Sequence, residues 1–172
     1  MIESIRALVT DPSHPSLHVL VVHFPIALVF LAPLFDLTCL LFRTRIWLDR
    51  AATTLYVMGT VAAGLAYLSG QRAADELGKI PTAAESALAD HESSAVITLI
   101  AVAVVSLIRL WVSWMSRDDR RIRLGFFRLA AVPVALAGLV LLALTADRGG
   151  SLVYEHGLGV GTERQIDAGG SG

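Results

Sequence analysis

The chain has 172 residues, of which 55% are hydrophobic and 17% charged, and its formal net charge is −1. Soluble domains carry roughly 25% charged residues, so the apolar excess argues against a soluble fold. The near-neutral balance gives no electrostatic reason for nucleic-acid binding, and a single cysteine excludes an internal disulfide.

The apolar residues fall in four blocks separated by polar, mostly charged stretches. That pattern predicts an all-α integral membrane four-helix bundle over residues 17–148, with a lead at 1–16 and a C-terminal tail at 149–172. In the lead, IESIRALV has the pattern of a short amphipathic helix at a membrane surface. Pro12 and Pro15 then break it, because proline disfavours helix in the residue before it. The lead has no basic n-region and no small-residue cleavage site, so the first span is expected to be a retained anchor.

The first span covers about 17–42 and contains Pro25 and Pro33. Each removes a backbone donor, which membrane helices tolerate where neighbours supply partners. The second span, about 51–70, is rich in glycine and alanine. Gly59 with Ala63, and Ala62 with Ala66, form small-xxx-small pairs that allow close helix packing, or room for a flat cofactor. A polar connection follows over 71–92. Pro81-Thr82-Ala83-Ala84-Glu85 resembles a helix start, so the third helix begins near 82 and its buried part covers 93–115. Trp111 and Trp114 near its end suit an interfacial aromatic belt. The fourth span covers about 126–146, with Pro133 inside it, and Gly149-Gly150 is expected to end it.

Arg43, Arg45 and Arg50 lie in the loop after the first span. Arg117, Arg120, Arg121, Arg123 and Arg128 lie in or beside the loop before the fourth. In an up-and-down bundle these loops share one side, and the positive-inside rule makes that side cytoplasmic. Both termini then face outward, toward the periplasm of a bacterial inner membrane. All five histidines fall at that outer end: His14, His18, His23, His91 and His156.

Neutral imidazole ligates haem iron, copper and zinc, and bundle cofactors are held by facing side chains of different helices. His23 and His91 suit a bis-histidine haem b clamp, with His156 and His18 as further candidates. His18 and His23 are five residues apart. That spacing turns a helix by about 140°, so they point to different faces. A histidine at a helix end also sits among headgroups or caps a carbonyl, and that reading stays open. No HExxH and no cysteine near the histidines points to catalytic zinc, and no CxxCH points to covalent haem. Asp36 and Arg109 lie at similar depth near the opposite end and suit a structural ion pair, since a lone charge there is expensive. A proton or quinone-headgroup site is the functional alternative.

The stretch LHVLVVHFPIAL over 17–28 resembles the opening of a family of predicted bacterial membrane proteins, domain of unknown function 2231 (DUF2231), which reads like HPLLVHFPIAL. GGSLVYEHGLGV over 149–160 resembles its second hallmark, GGxLVYxHGxGV, and His91 also matches. Val19 stands where the family's opening has proline. The resemblance covers about 15–161 and implies a four-helix layout similar to two-haem b-type membrane cytochromes. By analogy it implies haem and electron transfer with a periplasmic c-type cytochrome or a quinol. Moving electrons across the membrane between haems would need ligands near both faces, whereas these histidines lie near one, so one haem b or two near the outer face are expected. The rival reading is a cofactor-free accessory subunit of a larger respiratory or photosynthetic membrane complex. Either reading makes the chain a carrier or subunit rather than a self-contained enzyme.

Overall fold

The computed structural model of the chain describes residues 15–41, 46–75, 77, 79–115 and 123–158. The lead helix, His14 and the last part of the tail lie outside the described residues. These form α1 (Pro15–Leu41), α2 (Ile46–Asp75), α3 (Thr82–Met115) and α4 (Arg123–Tyr154). Each helix holds a stretch long and apolar enough to cross a membrane: His18–Cys39, Trp47–Asp75, Thr82–Trp114 and Pro133–Tyr154. The fold is an all-α, four-helix arrangement of membrane-spanning character.

Consecutive helices pack side by side and α1 also meets α4, so the four close into a ring with α1 diagonal to α3. Residues 18, 70, 91 and 149 gather at one end, the histidine end. Asp36, Asp49 and Arg109 gather toward the other.

Large apolar side chains cover the outside: Phe24, Phe30, Met58, Ile100, Leu107 and Val140 are all more than half exposed. The buried positions are often small or polar, among them Ala32, Ala52, Thr53, Thr98 and Ser106. This distribution follows from lipid as solvent. Lipid gives apolar side chains no reason to hide, and close backbone packing needs small residues. Gly59 shows it directly, since a Cβ there would stand 3.0 Å from Val29 Cγ2. Hydroxyls join the helices. Ser106 Oγ donates to the Tyr56 carbonyl at 2.8 Å, and the Thr98 and Thr145 hydroxyls meet at 2.8 Å.

The start of α3 is where the sequence places it. The Pro81 carbonyl accepts from the N–H groups of Ala84 at 2.9 Å and Glu85 at 3.0 Å. The end of α4 is not. The helix continues through Gly149-Gly150 to Tyr154. Glycine costs about 1 kcal/mol relative to alanine inside a helix. Here the burial of Leu152 and a close contact of Gly149 with His91 hold the extra turns.

The burial pattern also reveals a repeat. His91 and Arg109 follow His18 and Asp36 by the same 73 residues. At that offset Pro25, Val29, Ala32, Pro33, Asp36 and Cys39 fall on Thr98, Val102, Val105, Ser106, Arg109 and Val112, and all twelve are buried. An offset of 79 places Tyr56, Gly59 and Gly70 on Ala135, Gly138 and Gly149. The bundle is thus built of two hairpins, α1–α2 and α3–α4, whose buried positions correspond at these offsets.

Candidate functional site

Helical periodicity decides which histidines meet. His18 and Asp36 are eighteen residues apart, five turns at 3.6 residues per turn, so they share one face of α1. That face is the buried one. His18 is half-buried at its outer end, and its Nδ1 lies 3.0 Å from Ser69 Oγ on α2. The backbone of Gly70 presses against the ring: a Cβ there would stand 2.9 Å from Cε1. Any larger residue at 70 would force the ring to move.

The second hairpin repeats the arrangement. His91 Nδ1 donates to the Thr145 carbonyl on α4 at 3.1 Å. A Cβ on Gly149 would stand 3.0 Å from His91 Cε1. His18 and His91 therefore sit on diagonal helices at one level, with His91 within electrostatic reach of His18. Arg148 also acts electrostatically on His91. Its Nη1 donates to Ser94 Oγ and to the Asp90 carbonyl, so a cation sits beside the pair.

The other sequence candidates stand apart. His23 is exposed and donates from Nδ1 to the Val19 carbonyl of its own helix at 2.6 Å. It points away from the bundle, so the structure does not bring it to His91. His156 lies half-buried in the turn beyond α4. There Gly157 takes a left-handed φ of 67°, and its N–H bonds the Val153 carbonyl at 3.1 Å. His14 lies outside the described residues.

Two imidazoles form a small donor set. Among the described residues no three His, Cys, Asp or Glu side chains gather as metal ligands. A bare zinc site takes three or four protein ligands. Two imidazoles from different helices instead suit a metal that brings further ligands of its own, as haem iron does. On donor chemistry the pair fits haem.

At the opposite end Arg109 Nη2 lies 2.7 Å from Asp36 Oδ1 and 3.0 Å from Asp49 Oδ1. Arg109 and Asp36 are 1% and 3% exposed. Tyr56 is buried beside them, within electrostatic reach of both. Asp49 is a member that sequence reading missed. It precedes the apolar run of α2 and reads as loop. The signal that finds it is its place one turn before Thr53 on the buried face of α2.

Four apolar helices with outward hydrophobic side chains and charges held inside define a polytopic helical membrane protein. Within that class the chain belongs to the DUF2231 family, described as predicted membrane protein, which matches residues 13–162. No curated protein and no solved structure matches it.

Proposed function

We propose that the chain is a membrane electron carrier of the b-type cytochrome kind, holding one haem through His18 and His91. The observation that supports it is the pair of inward imidazoles on diagonal helices. Haem when bound would supply a one-electron iron couple, whose potential the protein would set through its donor nitrogens, burial and hydrogen bonds. His18 and His91 would hold the iron, and Arg148, beside His91, would offer a cation to an anionic group. His18 takes the place that sequence reading favoured for His23, because His23 faces outward. Asp36 and Arg109 occupy the far end of the same faces, where a second haem would need ligands, so a single haem is favoured.

In this reading the arginine-rich loops lie in the cytoplasm and the histidine end faces the periplasm of a bacterial inner membrane. Electrons pass to or from a periplasmic c-type cytochrome, or a quinol beside the bundle. The test is a reduced-minus-oxidised spectrum of the protein in mild detergent, with haem counted per chain. Wild type and His23→Ala should retain haem, whereas His18→Ala and His91→Ala should lose it. A colourless wild type would reject the proposal and favour the cofactor-free accessory subunit. Equal haem loss in His23→Ala would reject the ligand pair.

A further inference from the structure

The hydrogen bonds around the two histidines decide where their protons sit. A carbonyl oxygen only accepts, so the 3.1 Å contact between His91 Nδ1 and the Thr145 carbonyl requires the proton on Nδ1. For His18 the answer comes from counting donors. Ser69 Oγ lies 2.9 Å from the Ala66 carbonyl and 3.0 Å from His18 Nδ1. A serine hydroxyl has one hydrogen. If it goes to the carbonyl, His18 must supply the other, and both contacts are satisfied. If it goes to His18, the Ala66 contact is empty. Both rings are therefore Nδ1–H tautomers, and both Nε2 lone pairs are left for a ligand.

The two hairpins reach this state by different means. In the first the acceptor is a side chain, Ser69; in the second it is main chain, Thr145. Thr145 is in turn fixed by its hydroxyl, which donates to the Leu141 carbonyl at 2.9 Å. Gly70 and Gly149 lie close beside the two rings, where an added Cβ would stand 2.9 Å from His18 Cε1 and 3.0 Å from His91 Cε1.

We propose that Ser69 is a positioning residue: together with the Thr145 carbonyl it holds the histidine pair as Nδ1–H tautomers, and it sets how strongly His18 donates to a metal. An acceptor on Nδ1–H fixes ring orientation and raises the basicity of the ligating nitrogen. The tautomers stand without any ligand, while the tuning rests on the haem reading above. Ser69 is then the adjustable side of the site, and the Thr145 carbonyl, which no side-chain substitution removes, is the constant side.

The experiment is nitrogen NMR of the full-length, haem-free protein with labelled histidine, in mild detergent at mildly alkaline pH. His18 and His91 should both read as Nδ1–H. In Ser69→Ala the His18 signal should move to a mixture of tautomers while His91 stays, and Ser69→Thr should restore it. An Nε2–H ring at either position in wild type, or an unmoved His18 in Ser69→Ala, overturns the proposal. A second measurement reads the tuning. Haem-loaded Ser69→Ala should keep its haem and show a higher midpoint potential, because a less basic ligand stabilises ferric iron less. Retained haem with an unchanged potential overturns the tuning. A wild type that takes up no haem overturns the haem reading and leaves the tautomer result standing.

Discussion

Among the described residues Arg109 is the most buried large side chain, and one of its nitrogens serves two carboxylates. Removing one partner of a buried pair leaves an uncompensated charge, which costs about 3–5 kcal/mol. Arg109→Leu should therefore lower the midpoint of thermal unfolding in detergent by far more than Arg50→Leu, at an exposed position of α2. Glycines divide in the same measurable way. Gly64 and Gly138 have nothing within 4 Å of an added Cβ, whereas Gly70 and Gly149 meet imidazoles at 2.9 and 3.0 Å. Alanine at Gly64 or Gly138 should be neutral or stabilise by up to about 1 kcal/mol. Alanine at Gly70 or Gly149 overpacks the ring contact and should cost about 1–3 kcal/mol. Thermal unfolding of the four single variants checks both signs.

For the helices, hydropathy carries most of what is legible in the sequence. The four apolar runs are read from it directly, and the start of α3 at Thr82 from the proline before it. The five-residue spacing of His18 and His23 also separates their faces correctly. Which of the two faces inward is another matter. α1 is apolar all round, so its own pattern names no buried side. The inward face is marked by Asp36, five turns from His18, and only the partner helix makes that mark legible. The far end of α4 is hidden for a similar reason. Gly149-Gly150 reads as a stop, and only the contact of Gly149 with His91 shows why the helix continues. Amide exchange tests this. Protection should extend through Leu152, and it should be lost from 149 onward in His91→Ala if the ring contact holds those turns.

At the scale of the whole molecule, the two hairpins suggest a cut. The connection between α2 and α3 is short, and it joins halves whose buried positions correspond. Two chains divided between Leu77 and Lys79 and expressed together should reassemble in the membrane and co-purify. The joining surface is the buried face of all four helices, including the Arg109 bridge to Asp36 and Asp49. With Arg109→Leu in the second chain, co-purification should fall. Two halves that each stay apart with native side chains would count against the two-hairpin description. The same architecture explains why the repeat escaped a reading of the sequence. The corresponding pairs are matched in position but not in chemistry, as with Pro25 and Thr98, or Asp36 and Arg109.

That mismatch bears on how the protein is made. The hairpin that leaves the ribosome first carries Asp36 and Asp49, and the arginine that bridges them arrives only with α3. A chain stopped after Asp75 has two acids at membrane depth and no Arg109, a costly state in lipid. Half of this protein is thus chemically marked as unfinished. The arrival of α3 is recorded inside the bundle by the closing of the Arg109 bridge.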